Sequence, residues 1–156
     1  MTPGSSKRIL ADQRGQSLVE FAFSVLMLVL LMLGIFEMSR MLLVYTTVAN
    51  AARAGCRYGI VHGQLAGNGQ SAETTQIQTV VTGYLSAAPI NLGSPGLSIK
   101  VVYLPGPICQ AAALAGNAPG CPVKVTVRYP YDPWVGFYSS FFSINISSTS
   151  EGVITW

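Results

Sequence analysis

One stretch of the sequence limits what this chain can fold into more than any other. Residues 21–36 read FAFSVLMLVLLMLGIF, with no charged side chain and one hydroxyl, that of Ser24. A helix that is apolar on all sides belongs in lipid or inside a helical bundle. Residues 16–36 would form about 31 Å of helix, which just spans the hydrocarbon core of a bilayer. We therefore predict a transmembrane segment over residues 16–36.

The charges around this segment predict its orientation. Lys7, Arg8 and Arg14 precede the apolar run, and basic residues favour the cytoplasmic side of a membrane. We expect residues 1–15 to be a cytoplasmic leader and the remainder of the chain to be exported. A secretory signal peptide begins in the same way, but the A-x-A sequence at residues 49–51 lies thirteen residues past Phe36. That site falls within a helical pattern, so conventional signal cleavage is not expected.

Glu20 is out of place at the mouth of the apolar run. A charged side chain costs roughly 2.5–3.5 kcal/mol at mid-membrane on insertion scales, and less toward the edge. A permanent membrane anchor gains nothing from this carboxylate. Glu20 is therefore a candidate functional residue.

The helix is predicted to continue beyond the membrane. No proline interrupts residues 16–60, which predicts one helix of about 45 residues, near 67 Å long. Its second half, residues 37–61, is amphipathic and is expected to pack against an exported head. The apolar or small residues predicted to share one face are Met38, Met41, Leu42, Tyr45, Val48, Ala49, Ala52 and Cys56. The polar residues predicted opposite them are Arg40, Thr47, Asn50, Arg53 and Arg57.

Residues 62–156 predict an α+β head of a second helix and three antiparallel strands. Ser71 is a fair N-cap and Glu73 lies in the first turn, where the helix dipole favours it. The apolar face of this helix is Ile77, Val80, Val81, Tyr84 and Leu85, and Pro89 stops it. Period-two alternation predicts two strands, one through Leu97, Ile99, Val101 and Tyr103 and one through Val123, Val125, Val127 and Tyr129. A third strand is predicted within residues 144–156.

The chain has three cysteines. Cys109 and Cys121 bracket a loop rich in Pro, Gly and Ala on the predicted exported side, where disulfides form. We predict that they pair, which could add on the order of 3 kcal/mol of stability in the chain-entropy model. Cys56 is left on the long helix, where we expect it to be a small buried apolar residue.

No catalytic or metal-binding pattern is found in the sequence. His62 is the only histidine, and it stands apart from any C-x-x-C or H-E-x-x-H spacing. The carboxylates Glu73, Asp132 and Glu151 are isolated in sequence. The net charge of +3 is scattered, without the basic block that nucleic-acid binding requires. We expect a protein that is not an enzyme and that has no cofactor, no metal and no nucleic-acid partner.

Aromatic residues are densest from the end of the second predicted strand to the start of the third: Tyr129, Tyr131, Trp134, Phe137, Tyr138, Phe141 and Phe142. Core packing is the favoured interpretation. The alternative is a partly exposed patch, through Trp134, Phe137 and Phe141, that contacts another subunit.

The N-terminal motif resembles a known family. Gly15 is followed by QSLVEF, which matches the type IV prepilin pattern of a Gly, four residues, a Glu and an aromatic residue. With Arg14 before Gly15 and Ala22 after Phe21, the segment is most similar to the TadE-like pseudopilins of the tight-adherence (Flp) pilus system. Residues 51–59, AARAGCRYG, look like the Ala/Arg-rich helix end of that family. The likeness covers residues 14–59, and beyond them it is architectural.

The resemblance implies a structural role. A membrane prepilin peptidase would cut between Gly15 and Gln16, and Gly15 has no side chain to obstruct it. Glu20, followed by Phe21, would become the fifth residue of the mature chain and would pair with the new N-terminal amine of a neighbouring subunit. The implied protein is a minor pilin or pseudopilin of the bacterial inner membrane, with a head on the far side and a pilin-like sheet wrapped on the long helix. Its implied partners are the peptidase, other pilin and pseudopilin subunits and the pilus assembly platform.

Two alternatives remain at this point. The first is an uncleaved single-pass membrane protein whose exported head binds a partner, in which Gly15 and Glu20 can be replaced without consequence. The second is a tethered exported enzyme, which would need a pocket with convergent polar groups in the head.

Overall fold

The computed structural model describes residues 6–63, 70–88, 90–105, 116–133 and 144–155. The elements in this part of the chain are α1 (Ser6–Val61), α2 (Gln70–Ser86), β1 (Ser98–Tyr103), β2 (Pro122–Tyr131) and β3 (Ile144–Val153). The chain forms two compact units, which divide between Ser39 and Arg40, and each is described by itself. The predicted α+β class is confirmed.

The first unit consists of α1 up to Ser39. Its apolar side chains point outward and are exposed, as at Phe21, which is 68% exposed, and Met27, which is 74% exposed. The Ser24 hydroxyl donates to the Glu20 carbonyl at 2.9 Å, so the one hydroxyl of the apolar run is satisfied within the helix. The helix begins at Ser6, ten residues before the predicted start, because residues 6–14 contain neither proline nor glycine to prevent it.

The second unit is built on a three-stranded antiparallel sheet in the order β1-β2-β3. Val125 of the central strand is paired with Val101 of β1 and with Ser150 of β3. The predicted inward residues of β2 are all buried: Val123, Val125, Val127 and Tyr129. The predicted inward residues of β1 all pack against the same core: Leu97, Ile99, Val101 and Tyr103. The three predicted strands and their alternation are confirmed.

The second half of α1 enters the core of this unit through a stripe of small residues. The buried residues of the stripe are Val44, Val48, Ala51, Ala52, Gly55, Cys56 and Gly59. A methyl group on Gly55 would lie 2.5 Å from Val81 Cγ2 of α2 and 3.4 Å from Val125 Cγ1 of β2. Glycine is therefore required here by the close approach of α1 to both elements.

The predicted apolar face of this half of α1 is partly wrong. Met38 and Leu42 are each 63% exposed and Tyr45 is 54% exposed, whereas Val44 and Ala51 are buried. The helix is apolar on more than one side, so periodicity alone allowed two stripes. The stripe with small side chains is the one that packs, because it lets the helix come closest to its neighbours.

The predicted apolar face of α2 is confirmed at three positions, whereas Val80 is only partly buried and Tyr84 is exposed. Ile77, Val81 and Leu85 are fully buried, but Tyr84 is 53% exposed. Tyr84 lies near the C-terminal end of α2, where its ring lines an open cleft beside α1.

Backbone hydrogen bonds join the end of the chain to α1 and to the start of β2. The Thr155 amide donates to the Ile60 carbonyl at 3.0 Å, and the Gly120 amide donates to the Ile154 carbonyl at 2.8 Å. Gly120 has a φ of 86°, a conformation that favours glycine. The last strand is thereby held against the helix on which the head is built.

Candidate functional site

The predicted processing site lies on the exposed surface of α1. Gly15 and Gln16 are both exposed and helical. A methyl group added to Gly15 would have no described atom within 4 Å. Glycine inside a helix costs about 1 kcal/mol relative to alanine, which weakens the helix locally at this point. The peptide bond between Gly15 and Gln16 therefore lies on an exposed part of the helix.

Glu20 and Phe21 follow on the same exposed helix. Glu20 is four residues after Gln16, which places both side chains on one face, one turn apart. No ion pair to Glu20 occurs within the described part of the chain. Phe21 also projects outward. Gly15, Gln16, Glu20 and Phe21 are therefore all exposed within two turns of one helix, with Phe21 on a different side from Gln16 and Glu20.

Of the two cysteines in the predicted disulfide, Cys121 lies within the described residues and Cys109 does not. Cys121 is fully buried and disulfide-bonded. Cys109 lies outside the described residues, so its pairing with Cys121 stays a prediction. Cys56 is a buried free thiol in the core cluster, which is where a small apolar residue was expected.

The aromatic segment after β2 is described only at its start. Tyr129 and Tyr131 are buried in the core, and the Arg40 guanidinium lies 5.4 Å from the centre of the Tyr131 ring. These two rings agree with the core-packing interpretation. Trp134, Phe137 and Phe141, which were predicted as a possible subunit contact, lie outside the described residues.

A buried polar cluster that was not predicted surrounds Glu73. Glu73 is fully buried, and neither of its carboxylate oxygens has a hydrogen bond of good geometry among the described groups. Burial raises the pKa of Glu73, while Asn117, Tyr103 and His62 partly oppose the rise because they stabilise the charged form. A methyl group on Gly59 of α1 would lie 3.5 Å from Glu73 Oε1, so the carboxyl group is enclosed by α1 as well.

Tyr103 and His62 complete the surroundings of this carboxyl group. The Tyr103 hydroxyl is buried without a hydrogen bond of good geometry in the described part of the chain. Burial, the largest cause, raises the pKa of Tyr103 to about 12. The His62 ring stacks on Tyr58 with the ring centres 4.0 Å apart, and its Nδ1 lies 3.1 Å from the Tyr58 carbonyl oxygen.

The spacing of residues in α2 indicates that Glu73 is buried. Glu73 precedes Ile77 by four residues, and Ile77, Val81 and Leu85 continue at the same spacing. The buried stripe of α2 therefore extends back to Glu73, which was instead assigned to the helix dipole. Glu151 was also read as isolated, but its Oε2 lies 3.9 Å from Lys124 Nζ, as the β2–β3 register dictates. At this exposed position the ion pair contributes about 0–1 kcal/mol.

Two further features bear on the class of protein. Within the described ranges, no group of three or more His, Cys, Asp or Glu side chains could hold a metal ion. One helix there, α1, is long and apolar enough to cross a membrane, and the side chains of its most apolar window are not buried inside the molecule. This suggests membrane anchoring through the N-terminal helix.

Comparison with known proteins supports the resemblance. The family model for TadE-like proteins matches residues 15–57, which contain the Gly15 to Phe21 motif and most of α1. The resemblance inferred from the sequence is therefore confirmed over these residues, and it suggests a protein associated with a Tad pilus. No curated protein and no solved structure matches the chain. The head beyond residue 57 lies outside the family match.

Proposed function

We propose that this chain is a minor pilin or pseudopilin, a structural subunit needed to assemble a Tad/Flp-type pilus or a related secretion filament. The observation that carries the proposal is the exposed Gly15 to Phe21 motif at the start of an apolar helix, inside the segment matched by the TadE-like family. The protein would lie in the bacterial inner membrane with its N-terminus in the cytoplasm and its head on the other side.

Processing is the first step of the proposed function. A prepilin peptidase hydrolyses the peptide bond between Gly15 and Gln16, which releases the basic leader and creates a positive amine on Gln16. Nothing among the described residues covers this bond. Local unwinding at Gly15 would let the bond enter the peptidase site.

Assembly is the second step. The apolar side chains of residues 16–36, exposed in the single chain, would leave lipid and pack against the same segments of neighbouring subunits. The Glu20 carboxylate would then pair with the amine of a neighbour's Gln16. No catalytic role is proposed for any residue, because the exposed motif serves recognition and packing.

The pairing of Glu20 with an amine would set the axial register of the subunits. Two opposite charges 4 Å apart attract by about 4 kcal/mol at an effective dielectric constant of 20. A slip of one helical turn, about 5.4 Å, would leave an attraction of about 2 kcal/mol. The cost of desolvating the two charges offsets much of the attraction in both the aligned and the slipped register, so the net stabilisation is small. The difference between the registers is what orders the filament.

The proposal is tested by the N-terminal residue and mass of the membrane-extracted protein, with and without a co-expressed prepilin peptidase. We expect a start at Gln16 only when the peptidase is present. Gly15→Leu should block cleavage. Gly34→Leu is the matched control, because Gly34 also has no atom within 4 Å of an added methyl group, and it should be cleaved normally. An uncut chain under both conditions would contradict the proposal and support a permanently anchored protein with a partner-binding head.

A further inference from the structure

The Ala/Arg-rich segment at residues 51–59 contains two arginines that the fold does not use. The small residues of this segment face the core, but Arg53 and Arg57 are exposed. They are four residues apart and so lie on one face of α1, one turn from each other. No ion pair or hydrogen bond involves either guanidinium in the described part of the chain. Packing therefore explains the small residues of the segment and leaves the arginines unexplained.

Both arginines line a cleft between α1 and the C-terminal end of α2. The cleft has a volume of about 470 Å³, and its lining includes Asn50, Arg53, Arg57, Tyr84, Ala87 and Ala88. This volume lies within the range of ligand-binding pockets. The α1 side carries the two arginine guanidiniums and the Asn50 amide. The side at the end of α2 consists of the Tyr84 ring and two alanines. The cleft thus offers two positive charges beside a small apolar surface.

The end of α2 does not cancel this positive charge. A helix C-terminus carries about half a negative charge, whereas the two arginines carry two positive charges. The carbonyls of Tyr84 and Leu85 also accept hydrogen bonds from the amides of Ala87 and Ala88, each at 3.3 Å. The net field in the cleft favours an anion.

The charge balance of the head indicates that the anion comes from elsewhere. Arg40–Trp156 contains six Lys or Arg and three Asp or Glu. Of the three acids, Glu73 is buried in the core and Glu151 is paired with Lys124. A second copy of the head would therefore offer Asp132 and, if the weak surface pair with Lys124 breaks, Glu151. Glu151 is paired in the sheet with Lys124, eight residues before Asp132 in the sequence, so the two carboxylates lie roughly 26 Å apart along the strand. One copy therefore cannot present both acids to two arginines that are one helical turn apart.

We propose that this cleft docks an acidic segment of a different protein. Two carboxylates of that segment bind Arg53 and Arg57, whose planar guanidiniums suit bidentate pairing. A neighbouring apolar side chain lies against Ala87, Ala88 and the Tyr84 ring. A phosphate group would use the arginines but not this apolar side, which is why a peptide is the better fit. Arginine and tyrosine are also enriched in protein–protein interfaces. The proposal goes beyond filament assembly and does not depend on cleavage after Gly15.

The test uses the full-length protein in nanodiscs of uncharged phosphatidylcholine. The probes are a set of fluorescein-labelled peptides of eight residues. Each carries two glutamates and a neighbouring leucine, and the spacing of the glutamates varies from one to four residues across the set. Binding is measured by fluorescence anisotropy. We expect at least one such peptide to bind, and its glutamine analogue to bind at least tenfold more weakly. Arg53→Gln and Arg57→Gln should each weaken binding about tenfold, the loss typical of one charged hydrogen-bonded partner.

The matched controls are Lys100→Gln and Arg128→Gln, which remove exposed cations elsewhere on the head. They should leave the affinity unchanged, because attraction to a cleft is local at physiological salt. All four variants should unfold at the unaltered temperature, and Arg53→Gln and Arg57→Gln should still be cleaved by the peptidase. Normal cleavage with lost peptide binding separates this inference from the proposed processing.

Three results would overturn the proposal. One is the absence of binding by every glutamate peptide at 1 mM. Another is an equal loss of affinity in the Lys100 and Arg128 variants, which would indicate diffuse attraction to a basic head. The third is displacement of the peptide by inorganic phosphate, or binding to phosphatidylglycerol vesicles that requires Arg53 and Arg57. Either form of the third result would make the cleft a phosphate site.

Discussion

The close packing of α1 on α2 at Gly55 gives the sharpest test of the fold. Gly55→Ala places a methyl group 2.5 Å from Val81 Cγ2, 3.3 Å from Ile77 Cγ2 and 3.4 Å from Val125 Cγ1. The first distance is about 1 Å shorter than an ordinary carbon–carbon contact. Either Val81 must change position or the two helices must separate.

The expected magnitude follows from two opposing effects. Alanine in place of glycine stabilises a helix by about 1 kcal/mol, whereas overpacking a core costs typically 1–3 kcal/mol. Gly83→Ala is the matched control, because Gly83 lies in α2 with no atom within 4 Å of the added methyl group. Both variants gain the same helix propensity. The unfolding free energy of Gly83→Ala minus that of Gly55→Ala therefore measures the cost of the close contacts at Gly55. We expect this difference to be about 1–3 kcal/mol.

The assay is guanidinium unfolding of the full-length protein in detergent micelles, followed by tryptophan fluorescence. The dependence of unfolding free energy on denaturant should be unchanged between variants, so that midpoints report stability. Val81→Ala alone should destabilise by about 1.6 kcal/mol or more, since it removes two buried methyl groups. The double variant Gly55→Ala/Val81→Ala should lose less unfolding free energy than the sum of the losses in the two single variants, because the methyl group added at Gly55 occupies the space that the Val81 side chain vacates. Equal stability of Gly55→Ala and Gly83→Ala, or strict additivity with Val81→Ala, would refute the packing.

Two further predictions concern carboxylates. Burial raises the pKa of Glu73 in the folded state, so between the unfolded-state pKa and the folded-state pKa the folded protein binds more protons than the unfolded chain. The contribution of Glu73 to stability is therefore complete below its unfolded-state pKa and is lost as the pH rises through its folded-state pKa. Glu73→Gln should therefore flatten the decline in unfolding free energy as pH increases from 4.5, measured against Glu151→Gln as an exposed control; an unchanged slope would contradict the burial of a titrating carboxyl group. Glu20→Gln keeps the side-chain shape and removes the charge, so the mature subunit should start at Gln16 as before while the yield of sheared, sedimented filaments falls at least tenfold. Ser24→Ala, which removes the hydroxyl bonded to the Glu20 carbonyl, should leave the filament yield unchanged, and normal yields with Glu20→Gln would rule out a role for the carboxylate in assembly.

Period-two and apolar patterns were sufficient for most of the fold. The alternation through Val123, Val125 and Val127 marked a strand with one buried face, and these side chains are fully buried. The Gly15 to Phe21 motif was also readable, since it depends on local spacing along one helix. Features that depend on contacts between elements were harder to predict. Glu73 is enclosed partly by Gly59 of α1, which lies fourteen residues earlier in the sequence.

The orientation of the second half of α1 shows why helical periodicity can fail. Leu42 and Tyr45 share the predicted stripe with Val48, and Val44 and Ala51 share the buried stripe with Val48. Both sets obey the spacing of a helix face. The choice between them depends on the shape of the facing surface. Gly55 lies on the stripe with Val44 and Val48 and removes the volume that Val81 and Val125 occupy. Close approach was therefore signalled by glycine and alanine more than by the large apolar residues.

The packing of residues 44–59 also limits how the family-matched segment can function. The match ends at Arg57, but Val48, Ala51 and Ala52 within it are fully buried in the head. A chain that lacked α2 and the sheet would expose this stripe to solvent, so the matched segment is not a module that folds independently of the head. Any head joined to such a helix must present a surface shaped for small residues, as Ile77 and Val81 do. The position of Arg53 and Arg57 at the cleft follows from the same constraint, because burial of the small residues directs the two arginines outward.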